Sequence, residues 1–170
     1  VVYFRLPYAY SEAVNFLKAL GIFYIHIHHT IDANQQIFQL PQDVGAPYDI
    51  TVHDYYPICP QINLLSHDGR YCGEPDAAGC NACLAGRPAP WGMDIQSWRS
   101  FFSTILRSAK RVIVPSKDVL ERIKYYIPDA HFVYLPHPES AASDLSRSGA
   151  STQRELKILV LGFLTVAKGL

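Results

Sequence analysis

The chain has 170 residues, of which 49% are hydrophobic and 18% are charged. This composition excludes an intrinsically disordered chain, and the length allows one domain with a sizeable core and part of a second. Fifteen basic residues balance fifteen acidic ones, so the net charge gives no support for a nucleic acid or an anionic membrane as partner. The apolar runs are much shorter than the roughly 20 residues that span a bilayer, so no transmembrane segment is predicted.

The first half of the chain alternates between predicted strands and helices. Residues 1–5 are β-branched and aromatic, which favours a strand, and Ser11 is a candidate N-cap for a helix that Gly21 ends. Residues 22–28 are predicted to form a buried strand, with His26 and His28 on one parity. Asp32 is expected to cap a second helix reaching about Gln42, and residues 48–53 form the next predicted strand.

The second half continues the alternation. Asp94 is predicted to cap an amphipathic helix whose inner face carries Ile95, Trp98, Phe102, Ile105 and Ala109. Residues 111–114 form a predicted strand, Ser116 caps a helix that ends before Pro128, and residues 131–135 form another strand. Residues 139–154 are rich in serine and contain no aromatic residue, which indicates a linker, and 156–161 form a new strand closed by Gly162.

This alternation predicts an α/β fold with a Rossmann-like parallel sheet and helices on both faces. Ligands of such sheets bind at the carboxyl ends of the strands. We therefore expect the polar residues at or just after the ends of the predicted strands to share one edge of the sheet: His28, His29, His53, Asp54, Ser116 and His137.

All cysteines of the chain lie in one stretch after the strand at 48–53. Their spacing is C-x12-C-x7-C-x2-C, formed by Cys59, Cys72, Cys80 and Cys83. Four thiolates can bind a structural zinc ion, and a CxxC pair supplies two ligands from one turn. Unlinked thiols and two disulfides are the alternatives, and His53 and His67 are candidate substitute ligands. Disulfides require an exporting context, which nothing in the sequence supports.

His53 and Asp54 are the candidate catalytic residues. A histidine at a strand end acts near neutral pH as a general base or as a hydrogen-bond partner of a sugar hydroxyl. The alternative is a partly buried histidine bonded to a backbone carbonyl. The same two interpretations apply to His28 and His29, which with Ser116 are the candidate substrate-binding residues.

Glycine and lysine follow the last predicted strand in the sequence GFLTVAKG, at Gly162 and Lys168. A glycine after a strand lets the backbone approach a phosphate, and a nearby lysine supplies positive charge. The pattern lacks both the Walker spacing and the dinucleotide fingerprint, so an ordinary strand–loop junction is the alternative.

Several segments, taken in order, resemble one family. HDYYPICPQINLL, RYCGEP, CNACL, RVIVPSKDVLERI, VYLPHPE and KILVLGFLTVAKGL are similar to segments of bacterial GT-B glycosyltransferases of the retaining group 1 type. The resemblance covers about residues 22–170 and implies two Rossmann-like domains facing a cleft. Residues 1–138 would be most of the acceptor domain, with a cysteine-rich loop insertion at 54–90, and 139–155 would be the interdomain linker. Residues 156–170 would begin the nucleotide-sugar-binding domain.

The resemblance also implies roles for particular residues. His53 matches the histidine that contacts the transferred sugar, and Gly162 and Lys168 match the donor diphosphate site. An arginine often found shortly after that glycine is absent, because Phe163, Leu164 and Thr165 follow it.

The implied reaction is transfer of a glycosyl group, with retention, from a nucleoside-diphosphate sugar to a hydroxyl acceptor in polysaccharide or glycoconjugate synthesis. The expected partners are the sugar nucleotide, a glycan or lipid-linked acceptor, and the remainder of the donor domain. Because the chain begins within one predicted strand and ends after another, we expect it to be a fragment that is inactive alone. No signal peptide is evident, so we expect a cytoplasmic protein, either free or peripheral to the inner face of the membrane. The competing hypothesis is a non-enzymatic, zinc-stabilised α/β interaction domain.

Overall fold

A parallel four-stranded sheet organises the protein. The structure, a computed structural model, describes residues 2–31 and 33–137. The strands are β1 (Ile25–Ile27), β2 (Tyr48–Thr51), β3 (Arg111–Val114) and β4 (Phe132–Tyr134). They lie in the order β1-β2-β3-β4, and every neighbouring pair is parallel. The predicted α/β fold with a parallel sheet is thereby confirmed.

Helices connect the strands. They are α1 (Tyr10–Ala19), α2 (Leu40–Val44), α3 (Ala77–Gly86), α4 (Ile95–Ser108) and α5 (Lys117–Tyr126), with short 3-10 turns at Gln35–Phe38 and Pro90–Gly92. None of the helices in the described part of the chain combines the length and the hydrophobicity that crossing a bilayer requires.

The core lies between one face of the sheet and α4. Ile50 and Val112 are paired in the register and are almost fully buried, and α4 contributes the fully buried Trp98. The indole Nε1 of Trp98 donates to the Tyr56 carbonyl at 2.7 Å. The Tyr48 hydroxyl donates to the Ile105 carbonyl at 2.5 Å, and burial raises the pKa of Tyr48 to about 12. The apolar face of α4 predicted from its periodicity is confirmed.

The other face of the sheet carries polar side chains. The register places His26 beside Asp49 and Asp49 beside Arg111. Asp49 is 2% exposed although it is charged, and Arg111 binds its carboxylate through two nitrogens. The sheet is therefore apolar toward α4 and polar on its reverse face.

Three of the predicted helix-end signals are confirmed. Asp94 caps α4 by accepting the Ser97 N–H at 2.7 Å, and Ser116 caps α5 by accepting the Val119 N–H at 3.4 Å. Gly21 has a φ of +67°, as a residue after a helix end requires. These signals act within one helical turn, so they can be recognised without tertiary information.

The predictions for the N-terminal region need correction. Residues 2–5 are not in a strand, because they pair with no strand of the sheet among the described residues. Ser11 lies inside α1, which begins at Tyr10 after Ala9 and has no side-chain cap. The single helix expected to reach Gln42 is instead a 3-10 turn, capped by Asn34, followed by α2. Asp32, the expected cap, lies outside the described residues.

The chain divides into two units, Val1–Pro136 and His137–Leu170. The structural description ends at His137. The predicted linker at 139–155, the strand at 156–161, Gly162 and Lys168 therefore lie outside the described residues, and their assignments stay predictions.

Candidate functional site

The candidate site lies where β1 and β2 end. His28 and His29 come directly after β1, and His53 and Asp54 come two and three residues after β2. Val52, between the end of β2 and His53, continues the pairing with β3, because its N–H donates to the Ile113 carbonyl at 2.9 Å. Since neighbouring parallel strands end at the same edge, the two pairs of side chains meet there.

His28 and His53 are in direct contact. His28 Nδ1 lies 3.0 Å from His53 Nε2, and the rings stack with centroids 5.1 Å apart. When both imidazoles are neutral, one nitrogen of this pair donates a proton and the other accepts it, so the tautomer of one ring determines that of the other. Each ring can then present its remaining nitrogen to a ligand or to another group of the protein.

His29 and Asp54 form the second pair. His29 Nε2 lies 3.4 Å from Asp54 Oδ2, and His29 Nδ1 accepts the Ile31 N–H at 3.3 Å. Because Nδ1 accepts, the neutral ring carries its proton on Nε2, which then points to the carboxylate. Asp54 Oδ1 accepts the Tyr56 N–H at 2.9 Å, so the carboxylate is held by backbone as well.

His26 extends this group, and sequence reasoning did not select it as a site residue. Its ring stacks on His28 with centroids 5.0 Å apart, and His26 Nε2 lies 2.7 Å from Thr51 Oγ1. His29 and His53 also approach each other, with centroids 6.0 Å apart. The signal that could have identified His26 is its shared parity with His28. We call His26, His28, His29, His53 and Asp54 the histidine cluster.

The surroundings of the histidine cluster limit what it can bind. A cavity of about 20 Å³ beside it is lined by His29, His53, Asp54, Phe102 and neighbouring residues, which leaves room for about one water molecule. His28 and His29 are exposed, so a larger ligand would lie across the rings and not inside this cavity. Imidazoles and a carboxylate at an open strand edge can bind hydroxyl groups and transfer protons.

Ser116 lies at the same edge of the sheet, after β3. Its hydroxyl oxygen caps α5, as described above, which explains its position without a ligand. The first turn of α5 contacts the chain after Asp54, because the Tyr55 hydroxyl donates to Asp118 at 2.5 Å. Burial, followed by this hydrogen bond, raises the pKa of Tyr55 to about 12.

The cysteine stretch, residues 59–83, comes shortly after Asp54 in the chain. Its first part consists of turns and an isolated antiparallel bridge between Leu65 and Tyr71. Its last part differs from the predicted loop, because Cys80 and Cys83 lie three residues apart on α3. All four thiols are free, and together they line one cavity. Burial raises the pKa of the Cys59 thiol to about 11.

Two arginines contact the sulfurs, and neither was predicted from the sequence as a site residue. Arg87 Nη2 lies 3.0 Å from Cys83 Sγ, and Arg99 Nη2 lies 3.6 Å from Cys80 Sγ. Within residues 2–31 and 33–137, no group of three or more His, Cys, Asp or Glu side chains is already arranged to hold a metal ion.

Comparison of the chain with protein-family models, with curated proteins and with solved structures finds no match. The resemblance to GT-B glycosyltransferases therefore depends on the short segments quoted above.

Proposed function

We propose that this chain forms the acceptor-side domain of a retaining GT-B glycosyltransferase. The observation that carries the proposal is the histidine cluster at the carboxyl edge of a parallel sheet, where ligands of such folds bind. His53 is held between His28 and His29 by ring contacts. This arrangement suits a residue that hydrogen-bonds a sugar hydroxyl and needs a defined orientation.

The proposed roles follow from the contacts. His53 binds the transferred sugar, and Asp54 orients His29 through the 3.4 Å contact between them. His28 sets the tautomer of His53 through the 3.0 Å contact between their ring nitrogens. In the same proposal, Gly162 and Lys168 bind the donor diphosphate, whose departure is assisted by positive charge and backbone N–H groups. Tyr56 and Pro57, at the start of the cysteine-rich insertion at 54–90, line the small cavity beside the histidine cluster.

The test is glycosyl transfer by the full-length natural polypeptide that carries this chain. Release of nucleoside diphosphate is measured from a panel of sugar nucleotides, with hydroxyl acceptors present, and proton NMR of the product reports whether the anomeric configuration is retained. We expect His53→Ala to lower kcat/KM by about 100-fold or more, the range for loss of a positioned acid–base or hydrogen-bonding group.

The matched control is His131→Ala. His131 lies at the opposite edge, before β4, where its Nδ1 contacts the Lys110 carbonyl at 2.6 Å. Its removal should leave transfer unchanged. The proposal is wrong if no sugar nucleotide is turned over, or if His53→Ala transfers sugar as fast as the unaltered protein.

A further inference from the structure

The four cysteines line one cavity although they belong to three different local structures within residues 59–83. Cys59 lies in the turn after β2, Cys72 follows the isolated bridge, and Cys80 and Cys83 lie on α3. Their side chains line a cavity of about 30 Å³ together with Gln61, Leu65, Pro75, Leu84 and Ile95. That volume is close to the space of one water molecule, so the cavity fits a single ion and excludes an organic substrate.

The backbone holds the cysteines in place. The Cys59 N–H donates to the Tyr55 carbonyl at 2.9 Å, and the Cys72 N–H donates to the Leu64 carbonyl at 2.8 Å. Cys80 lies in the first turn of α3, which Asp76 caps by accepting the Gly79 N–H at 2.9 Å. Backbone hydrogen bonds and the cap of α3 therefore fix the positions from which the four thiols reach the cavity.

The charges around the cavity indicate that the sulfurs at its wall form a negatively charged centre. Arg87 donates to the Leu65 carbonyl at 2.6 Å and contacts Cys83, and Arg99 donates to the Ile58 carbonyl at 3.0 Å and contacts Cys80. Neither arginine forms an ion pair with a carboxylate in the described part of the chain. Buried Arg87 Nε also has no hydrogen-bond partner there. Partly buried cations are ordinarily paired with negative charge. The Arg99 guanidinium also lies 4.2 Å from the centre of the Tyr126 ring, and the groups that could become negatively charged beside both arginines are the cysteine sulfurs.

A divalent ion bound by four thiolates would supply the negative charge that pairs with Arg87 and Arg99. Such a centre carries a net charge of about −2, since each thiolate contributes one negative charge and the metal contributes two positive charges. Two guanidinium groups would compensate it. Thiolate ligands favour zinc over magnesium or calcium, and four protein ligands leave no open position for water, which is typical of a structural site.

The thiols would have to turn toward the ion. In the structure Cys80 Sγ contacts the Pro75 carbonyl at 3.4 Å, and Cys83 Sγ contacts Arg87, so they do not form a finished coordination shell. The movement we propose is rotation of the cysteine side chains between staggered rotamers.

We propose that Cys59, Cys72, Cys80 and Cys83 bind one structural zinc ion whose charge is compensated by Arg87 and Arg99. The ion joins the turn after Asp54 to α3 and so stabilises the segment that borders the histidine cluster. This site does not depend on the proposed transfer of sugar. It would also be present in a protein without enzymatic activity.

The first experiment measures metal in protein prepared with added zinc and without chelator. We expect about one zinc ion per chain, and replacement by Co²⁺ should give the visible absorption bands of a tetrahedral thiolate site. Alkylation of the thiols of the unaltered protein should release the zinc. This measurement requires no variant to fold. Less than about one tenth of an equivalent of zinc, or a mass that shows disulfides, would overturn the proposal.

Variants test the ligands and the compensating charges. Cys72→Ser should abolish stoichiometric zinc binding, whereas His67→Ala and His53→Ala should retain it. Arg87→Met and Arg99→Met keep all four thiols, and we expect each to weaken zinc binding by about 10-fold to 100-fold, the range for residues that contact metal ligands. Arg107→Met, which removes the ion pair with Asp129, is the control. Unchanged zinc affinity in both arginine variants would overturn the compensating role.

Discussion

At the scale of single residues, Asp49 is the most constrained charge in the sheet. Its side chain is 3% exposed and accepts hydrogen bonds from Arg111 Nε at 2.9 Å, Arg111 Nη2 at 2.5 Å and the Tyr24 hydroxyl at 2.7 Å. The hydrogen bonds from Arg111 hold the pKa of the Asp49 carboxyl below its ordinary value, although burial acts in the opposite direction. Asp49 therefore joins β2 to β3 and to the residue before β1.

Replacing Asp49 by asparagine should lower the free energy of unfolding by about 1 to 2 kcal/mol at neutral pH, the range for hydrogen bonds to a charged group after allowance for the exposed guanidinium. Denaturant unfolding measures this change. Asp129→Asn is the control, because its carboxylate is exposed and pairs with Arg107 on the surface. Equal stability of the two variants would contradict the role of Asp49.

The ion pair of Asp49 with Arg111 predicts that the stability of the protein depends on pH. Since the pKa of Asp49 is lowered in the folded protein, the ion pair stabilises the fold above the unfolded pKa of about 3.9 and is lost as the pH falls through the folded pKa. The stability difference between the unaltered protein and Asp49→Asn should be constant above about pH 5 and shrink below about pH 4. A difference that grows on acidification would contradict this assignment.

The residue scale also shows the limit of prediction for the candidate site. His28, His29, His53 and Asp54 could be placed on one edge because each lies at or just after the end of a predicted strand. The pairing of His28 with His53, and of His29 with Asp54, could not be predicted, because the partners are 25 residues apart. It depends on the order and register of β1 and β2.

At the scale of the element, α3 shows how a short helix presents two thiols. Its N-terminus is fixed by the Asp76 cap and by the close approach of Gly79 to Pro75. A Cβ added at Gly79 would lie 2.8 Å from Pro75 Cβ, which is closer than such atoms approach. At Gly86, in the same helix, an added Cβ would meet no atom within 4 Å.

These two glycines form a matched pair. Gly79→Ala should destabilise the protein by about 1 to 3 kcal/mol because the proline must move, as in other overpacked sites. Gly86→Ala should leave stability unchanged or raise it by up to about 1 kcal/mol, because alanine favours the helix. Thermal unfolding of both variants measures the difference. If Gly79→Ala is as stable as Gly86→Ala, the close contact does not exist in solution.

At the scale of the whole molecule, Arg122 on α5 connects the cysteine stretch to the sheet domain. Its guanidinium forms ion pairs with Glu74 and Asp118. It also lies over the rings of Tyr55 and Tyr71. Hydrogen bonds from Arg122 to Asp118 and Tyr71, opposed by burial, contribute to a raised pKa of Arg122. Contacts with α5 therefore stabilise the segment after Asp54, in addition to the turns within that segment.

We expect Arg122→Gln to lower the free energy of unfolding by about 1 to 2 kcal/mol, since several hydrogen bonds to charged groups are lost together. Amide hydrogen exchange should also accelerate at residues 55–76. Lys124→Gln removes the same charge from the same helix, where Lys124 only approaches the Phe132 ring at 5.8 Å, and should change exchange little. Similar exchange in both variants would show that α5 does not hold the segment.

The sequence by itself determined the features that depend on neighbours within one or two turns. These are the alternation of strands and helices, the buried face of α4, and the caps at Asp94 and Ser116. Tertiary structure decided the rest. Residues 2–5 had the composition of a strand but found no partner in the described sheet, and Arg99 contacts the sulfur of Cys80, 19 residues earlier in the chain. The physical reason is that periodicity and capping are local, whereas strand order, register and charge pairing arise only when distant segments pack together.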